Sequence, residues 1–410
     1  MLKSVDPEIA VFDANSPPCL AFVRSLGRRD IPVKVYSHDK WAMTRFSKYT
    51  KHFGKCPDVE DPSRFMPWLK NKLENKDITL IAPTTDAICF YIAEYRDLFP
   101  DQIRSQIPDR EQTLNVLFKD RFQRVCAKSG LETPKTFYPN SQEEAMDMAP
   151  DLPYPVILKP RSHIVAGLWR GYLADDAEQF RKVFRAYSIG PSHAALAERY
   201  PEQVWPMVQE RIEALQEQFV SISGLLANPE RFIAVSSSQK DGQWPPGLGV
   251  GTSFKCYNDS KVIEIGMSMV QNLIDKGLFE LEIVYDKTRD SYVPIDLNPR
   301  LFGQVSLDIA RGNDLPYLWY QTMMGETISE QPEPRNDIQW RHGFLAPLEQ
   351  LARLRKSSTP WIDFKQMIDA SRRPHVDVLH DSKDPLPGAR AGMFYLRHMR
   401  GTVRFLWTQD

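Results

Sequence analysis

Carboxylate side chains alternate with apolar ones in residues 279–303, which read FELEIVYDKTRDSYVPIDLNPRLFG. Alternation with a period of two is typical of a half-buried strand. It predicts two short strands, residues 279–285 and 292–297, joined by a charged turn. The polar residues that fall on one face of this predicted hairpin are Glu280, Glu282, Asp296 and Asn298.

The alternation also predicts the register of the hairpin. A five-residue loop, residues 287–291, places Glu282 opposite Asp296 and Glu280 opposite Asn298. Shifting the register by one residue would place a carboxylate against an apolar side chain, so the pattern favours the first alignment.

Facing carboxylates repel each other, which indicates a cation between Glu282 and Asp296. Two carboxylates and the amide oxygen of Asn298 suit Mg²⁺, which takes few protein carboxylates and completes its octahedron with phosphate oxygens and water. Arg300 follows two residues after Asn298 and can bind a phosphate or a substrate carboxylate through two hydrogen bonds. The alternative is an amphipathic hairpin whose polar face is simply solvated.

Composition narrows the class of protein. A chain of 410 residues exceeds a usual single domain, so two or three domains are expected. A net charge of -1 gives no electrostatic attraction for nucleic acid, and no such partner is predicted. The five cysteines are scattered, never in CxxC spacing, and neither a signal peptide nor a membrane-length apolar run is found. We therefore expect a cytoplasmic protein with reduced thiols.

The first 90 residues predict a strand-helix-strand unit, with strands over residues 8–12 and 31–36 around a helix at Pro17–Gly27. The first turn reads DANSPP and lacks the glycines that let a backbone approach a pyrophosphate, which excludes a typical dinucleotide site. Thr84, Thr85 and Asp86 follow a later strand, at the edge where open α/β sheets bind ligands. An ordinary helix N-cap is the alternative for these residues.

Lys159 ends an apolar strand, residues 155–159, instead of lying on a solvated face. A buried lysine is unfavourable unless it meets an anion, so this residue is a candidate anion ligand. Further strands are predicted over residues 204–212, 219–226 and 232–236. The run QKDGQWPPGLGVGTSFK, residues 239–255, is interpreted as turn-rich.

The order of these features resembles the ATP-grasp superfamily, and within it the carboxylate-amine ligase-like group related to biotin carboxylase and carbamoyl phosphate synthetase. VPIDLNPRLFG looks like the E-x-N-P-R signature, and FELEI resembles the strand that carries the other metal carboxylate. YPVILKP is similar to the strand with the phosphate-binding lysine, and GQWPPGLGVGT to a loop of this ligase group.

The resemblance covers roughly residues 5–330 and implies an α/β plus α+β fold. It predicts a pre-ATP-grasp α/β domain over residues 1–110 and an ATP-grasp domain over 111–330. The latter divides into a small lid at about 135–212 and a C-terminal α+β part at about 213–330. Residues 331–410 are predicted as a basic extension that packs on the core; surface contact of its amphipathic tail with a membrane is the alternative.

The resemblance also implies roles for individual residues. Glu282, Asp296 and Asn298 would hold Mg²⁺, with Mn²⁺ as a second candidate, and Arg300 would lie near an acyl phosphate. Lys240 would assist the transferred phosphate. The residues assigned to ATP are Lys119 and Lys159 at the phosphates, Gln209, Glu210, Arg211 and Ile212 around adenine, and Glu217 at the ribose.

Three features depart from the family pattern. Asp296 stands where the signature usually has glutamate, one methylene longer. Gly242 stands where relatives often carry arginine, and Lys255 where an acidic residue is common. The substrate pocket is therefore expected to differ from that of the best-known members.

The predicted activity is that of an ATP-dependent carboxylate-amine ligase that forms an amide bond through an acyl phosphate and releases ADP and phosphate. The substrates would be small carboxylates, such as amino acids, and amines, and a homodimer is one expected assembly. A different hypothesis is a nucleotide-binding regulatory or scaffold protein that no longer ligates.

Overall fold

The computed structural model describes residues 8–166, 171–214, 218–245 and 249–395. These residues form three β-sheets with helices packed between and around them. Across the described segments, every helix is too short or too polar to cross a membrane.

The N-terminal sheet is parallel and has four strands in the order β3-β2-β1-β4. The helix after β1 begins where Ser16 accepts a hydrogen bond from the Cys19 backbone N–H, and two prolines occupy its first turn. The bounds of this helix match the predicted range, Pro17–Gly27. The strands are β1 (Ile9–Val11), β2 (Val33–Ser37), β3 (His52–Lys55) and β4 (Leu80–Ile81), and the helices are α1 (Pro17–Gly27), α2 (Pro62–Glu74), α3 (Asp86–Glu94), α4 (Asp101–Arg104), α5 (Arg110–Leu117) and α6 (Lys119–Lys128).

The middle sheet has four short strands in the order β5-β8-β6-β7, and its pairings are antiparallel. Apolar residues of β6 and β8 pack against the helices on one face of this sheet. Its strands are β5 (Thr136–Phe137), β6 (Val156–Lys159), β7 (Tyr172–Ala174) and β8 (Met207–Glu210), and its helices are α7 (Gln142–Met148), α8 (His163–Ala166), α9 (Ala177–Val183) and α10 (Ala194–Arg199).

The large sheet has seven strands in the order β13-β12-β9-β10-β11-β14-β15. Its last two strands come from the predicted C-terminal extension. The strands are β9 (Phe219–Asn228), β10 (Arg231–Trp244), β11 (Val250–Cys256), β12 (Gly277–Asp286), β13 (Ser291–Asn298), β14 (Gln339–Arg341) and β15 (His375–Asp377), and the helices are α11 (Ser260–Leu273), α12 (Val305–Arg311), α13 (Leu315–Met323), α14 (Leu345–Lys356) and α15 (Pro360–Ser371).

The interpretation of residues 239–255 as turn-rich is wrong for most of this run. Strand β10 continues through Lys240 to Trp244, and β11 begins at Val250. A bulge between Lys240 and Gly242 lets the polar, glycine-containing sequence stay in the sheet, because the bulge absorbs the residue that does not fit the ladder. Polarity and glycine content therefore gave a misleading turn signal here.

Shared apolar cores join the three sheets. Phe22 of α1 packs edge-on against Trp319 of α13, with ring centroids 5.5 Å apart. Leu196 and Tyr200, which follow the middle sheet's α9, lie in the same buried cluster as Phe90 of α3. Part of the segment predicted as a lid thus packs on the N-terminal α/β part. The domain boundaries themselves stay a prediction.

Candidate functional site

The hairpin predicted from the sequence is formed by β12 and β13. Glu282 pairs with Asp296 and Glu280 with Asn298, which confirms the predicted pairing. On the other side of β12, Glu282 lies beside Ser221 of β9. The predicted polar face therefore exists, with Glu280 and Glu282 on the interior strand β12 and Asp296 and Asn298 on the edge strand β13 of the large sheet.

The loop that joins these strands is one residue shorter than predicted. Asp286 pairs with Ser291, so the loop comprises residues 287–290. Taken alone, the shorter loop would move the register by one residue. A bulge at Ile295 of β13 inserts the missing residue and restores the opposition of Glu282 and Asp296.

Two lysines from distant parts of the chain reach these carboxylates. Lys119, the first residue of α6, donates from Nζ to Asp296 Oδ2 over 2.6 Å. Lys240 of β10 donates from Nζ to Glu282 Oε1, and its ammonium also lies 5.0 Å from the centroid of the Phe219 ring. Burial alone would raise the pKa of Glu282, but the ammonium groups of Lys240, Lys119 and Lys159 together hold that pKa below its usual range.

Lys159 is the third lysine of this cluster. Its Nζ donates to Gln209 Oε1 over 2.9 Å, and Gln209 Nε2 donates in turn to Thr136 Oγ1 over 3.0 Å. Burial, followed by repulsion from Lys119, lowers the pKa of Lys159 to about 8, against the attraction of the two carboxylates. The hydrogen-bond acceptor of this ammonium is a neutral amide, so the charge of Lys159 is not fully compensated. Such a site favours binding of an anion.

A hydrogen-bonded row continues the site toward the N-terminal sheet. Glu280 is only 7% exposed and accepts hydrogen bonds from Ser221, Gln304 and the Nδ2 of Asn298. Asn298 Oδ1 accepts from Arg300 Nη2 over 2.8 Å. Burial and the neighbouring Glu282 raise the pKa of Glu280. Glu280 therefore orients Asn298 from behind instead of being solvated.

Asp86 is the residue whose contact the sequence did not predict. Thr85 is the N-cap of α3, accepting from the Ile88 N–H, as the helix-cap alternative proposed. Asp86 begins the helix and accepts a hydrogen bond from Arg300 Nε. Burial opposes the charged form, yet Arg300 holds the pKa of Asp86 below its usual value. Its position at the carboxyl edge of a strand was the only signal for such a role.

The four residues assigned to adenine lie at the end of β8. Backbone groups of Gln209 and Glu210 pair with β5 and β6 inside the middle sheet. Glu210 also accepts from the Lys135 backbone N–H and from Arg289. Arg211 and Ile212 follow the strand, and the side chain of Arg211 is exposed. Glu217, assigned to ribose, lies outside the described residues.

The geometry at Gly242 explains one departure from the family pattern. A Cβ atom added there would lie 2.6 Å from Ser253 Oγ and 2.7 Å from Thr252 Oγ1. An arginine at this position would thus require the side chains of Ser253 and Thr252 to move. Lys255 lies on the partner strand, with its Nζ 3.9 Å from Asp241 Oδ1. This corner of the site is closed to a large side chain.

The site thus brings together a row of positive and negative charges on one face of the large sheet. No group of three or more His, Cys, Asp or Glu side chains suited to a metal occurs in the described part of the chain. The oxygen donors at the hairpin are two carboxylates and one amide, a set that fits Mg²⁺ only when further oxygens come from a ligand.

Comparisons with known proteins are consistent with the predicted superfamily. No family model matches the chain. The C-terminal section of the carbamoyl phosphate synthase large chain from Methanopyrus kandleri is 25% identical over 215 residues. That match covers 52% of this chain and 38% of the relative, so the chain spans well under half of the relative's length.

Two solved structures illustrate the likeness in fold. L-amino acid ligase from Bacillus licheniformis has a TM-score of 0.58 and 13% identity, with 81% of this chain and 78% of that chain covered. The biotin carboxylase domain dimer of Hydrogenobacter thermophilus 2-oxoglutarate carboxylase, in complex with MgADP, ADP and bicarbonate, has a TM-score of 0.59 and 13% identity. Here the covered shares are 81% of this chain and 73% of that chain.

The fold is therefore that of ATP-grasp proteins, and the expected α/β plus α+β class is confirmed. The resemblance to the carboxylate-amine ligase-like group is also confirmed as a relationship.

Proposed function

We propose that this chain is an ATP-dependent carboxylate-amine ligase that forms an amide bond and releases ADP and phosphate. The observation that carries the proposal is the charge cluster in which Lys119 and Lys240 pair with Asp296 and Glu282 beside the half-buried Lys159. The names of the relatives support the class, since one is an L-amino acid ligase.

The lysines and carboxylates of this charge cluster can exchange each other for a ligand and a metal ion. A nucleotide phosphate would compete for the lysines, and a divalent cation would compete for the carboxylates they release. All these side chains are partly accessible; the two ion pairs have side chains between 13% and 24% exposed. Both competitors would therefore find their ligands on one face of the sheet, already close together.

Mg²⁺ or Mn²⁺ would be held by Glu282, Asp296 and the Oδ1 of Asn298. Asn298 donates its amide N–H to Glu280, which turns Oδ1 toward the opposite side, where it keeps a lone pair after accepting from Arg300. When bound, the metal would neutralise charge that develops on the phosphates during transfer.

Each remaining residue has a role that follows from its charge and position. Lys119 and Lys159 would bind phosphate oxygens. Lys240 and Arg300 would stabilise negative charge on the transferred phosphate and on the acyl intermediate. For adenine we propose the end of β8, residues 209–212, where Arg211 and Ile212 follow the paired part of the strand.

An acyl phosphate route fits these residues. A carboxylate is a poor electrophile, and phosphorylation supplies a leaving group that an amine can displace. Phosphoryl transfer asks the protein chiefly for alignment and charge neutralisation, and the three lysines and the arginine of the site are suited to that task. Small carboxylates such as amino acids are the proposed substrates. A homodimer acting in the cytoplasm is the proposed form; all five cysteines are free thiols.

The proposal is tested by screening purified protein for ADP release with pairs of amino acids, organic acids and amines, and by identifying products with mass spectrometry. ADP release that requires both a carboxylate and an amine supports the ligase. Tight ATP binding without turnover on any pair contradicts it and favours a regulatory or scaffold protein. Glu264 is an exposed glutamate on α11. The variant Glu264→Gln is therefore the matched control for Glu282→Gln, and it should retain full turnover.

A further inference from the structure

A cavity of about 110 Å³ lies between the N-terminal α/β part and the C-terminal extension. Asp39 and Trp41, from the loop after β2, line its N-terminal side. His342, Arg390, Phe394 and Tyr395 line its C-terminal side. None of these residues belongs to the charge cluster of the large sheet.

Arg390 brings an incompletely bonded charge to this cavity. Its Nε is buried and has no hydrogen-bond partner among the residues that the structure describes. A buried donor without an acceptor is unfavourable, and native proteins keep few of them. The guanidinium-bearing side chain of Arg390 also lines the cavity, so an anion there can accept hydrogen bonds from it, and a guanidinium can bind a carboxylate through two parallel hydrogen bonds.

Asp39 is the nearby carboxylate, but its bonding is already provided by other groups. Asn15 Nδ2 donates to Asp39 Oδ2 over 3.0 Å, and the Trp41 backbone N–H donates to Oδ1 over 2.8 Å. Although burial acts to raise it, these hydrogen bonds and the more distant charge of Arg390 hold the pKa of Asp39 below its usual range. Asp39 therefore does not require the hydrogen bonds of Arg390.

Aromatic rings form the apolar walls. Trp41 and Phe394 are 53% and 50% exposed, so apolar surface remains uncovered at the mouth of the cavity. Tyr395 is held in place, because its hydroxyl lies 3.1 Å from His342 Nε2 and its ring stacks on Phe344 at a centroid distance of 5.0 Å. His342 Nδ1 accepts from the Leu345 N–H, which leaves Nε2 as the donor to Tyr395. These contacts position the Tyr395 ring without a ligand.

We propose that this cavity binds a small organic anion with an apolar or aromatic body. Its carboxylate accepts hydrogen bonds from Arg390, and its body lies against Trp41, Phe394 and Tyr395. Cavities of roughly 150 Å³ hold a benzene ring, so this open cavity of about 110 Å³ takes a short branched chain or part of one ring, with the rest of the body at the mouth. The site does not depend on the proposed ligase activity, because no residue of the charge cluster takes part.

The test uses the full-length protein and phenylacetate as the probe, with calorimetry or ligand-observed NMR as the readout. Phenylacetamide, which has the same ring without the charge, and acetate, which has the charge without the ring, are the matched ligands. Phenylacetate should bind at least about tenfold more tightly than either, as expected for a charge-assisted hydrogen bond in an apolar setting. ADP should not displace it.

Two variants locate the site. Arg390→Gln should weaken phenylacetate binding by about tenfold or more, whereas Arg373→Gln, which removes an exposed arginine of the same region, should leave it unchanged. Trp41→Ala, at an exposed ring, should also weaken binding without altering the melting temperature. Equal affinity for phenylacetamide, displacement by ADP, equal loss in both arginine variants, or no binding of phenylacetate at all would overturn the proposal.

Discussion

The ion pair between Arg24 and Asp384 and the lysine-carboxylate pairs of the hairpin have the same chemistry but different surroundings. Arg24 of α1 donates to Asp384 Oδ2 over 2.9 Å and also to the backbone carbonyls of Val378, Leu379 and Asp384. Asp384 accepts two further hydrogen bonds, from Ser47 Oγ and the Lys48 N–H. The two side chains are 7% and 2% exposed.

The pairs at the hairpin are far less complete. Lys119 and Lys240 each have three donors, and within the described chain each ammonium has a single hydrogen-bond acceptor. The comparison indicates that the number of partners around a pair, more than the pair itself, separates a structural role from a binding role. A fully bonded charge fixes two parts of the chain together, whereas a partly bonded one can change partners.

Removing one member of the Arg24–Asp384 pair should have the largest effect on stability. Arg24→Met leaves Asp384 buried without its counter-charge, and breaking a buried pair in this way typically costs about 3–5 kcal/mol. Urea denaturation followed by circular dichroism measures the loss. A change below about 1 kcal/mol would mean that the pair is not the anchor its geometry indicates.

The hairpin carboxylates should show the opposite behaviour. We expect Glu282→Gln and Asp296→Asn to reduce ADP-forming turnover by about 10²-fold or more, because the charge that would hold the metal is lost. The free energy of unfolding should change by less than about 1 kcal/mol, since these pairs are partly exposed. Turnover at the wild-type rate in both variants would contradict the metal assignment.

The pH dependence of stability should distinguish Lys159 from an ordinary lysine. Below about pH 8 this lysine is charged in both the folded and the unfolded chain. Between about 8 and its ordinary value of 10.5, the unfolded chain binds a proton that the folded chain does not, so stability gains a favourable term as pH rises.

Urea midpoints at pH 7.5 and 9.5 measure this term. The wild type should gain about 1–2 kcal/mol relative to Lys159→Met over this interval. Lys182→Met, at a lysine whose side chain is 67% exposed, should keep the gain and serves as the control. An identical pH dependence in the wild type and Lys159→Met would show that the environment of Lys159 does not lower its pKa.

The smallest effect is expected at the exposed pair of Arg28 and Asp381, which lies near the buried anchor. Arg28 is 41% exposed, and pairs of this kind contribute under about 1 kcal/mol. Arg28→Ala should therefore leave the urea midpoint almost unchanged. A loss comparable to that of Arg24→Met would show that partner number does not separate the two pairs.

The hairpin was predictable because two constraints act locally there. Alternation of apolar and polar residues specifies which side chains share a face. The register that places Glu282 opposite Asp296 keeps both carboxylates on the polar face. The shorter loop and the bulge at Ile295 were not predictable, since they compensate each other and leave the same register. The helix Pro17–Gly27 was predicted to the residue because its prolines and glycine mark both ends.

Contacts between distant segments could not be predicted from the local sequence pattern. Lys119 and Asp296 are 177 residues apart, and the resemblance indicated a phosphate role for Lys119 without indicating its carboxylate partner. The cavity at Arg390 depends on two segments, neither of which has a local signal for a ligand. Strands β14 and β15 were missed because each has three residues with only one apolar side chain, whereas the equally short β1 is apolar throughout.

The Arg24–Asp384 pair also has a consequence for synthesis of the chain, because its members are 360 residues apart. A ribosome makes the N-terminal sheet and α1 long before residue 384 emerges. Until then the guanidinium of Arg24 has neither its carboxylate nor the carbonyls of residues 378 and 379. The N-terminal part therefore gains these contacts only after residue 384 has been translated, and a chain that stops before residue 378 leaves the Arg24 guanidinium without any of these acceptors.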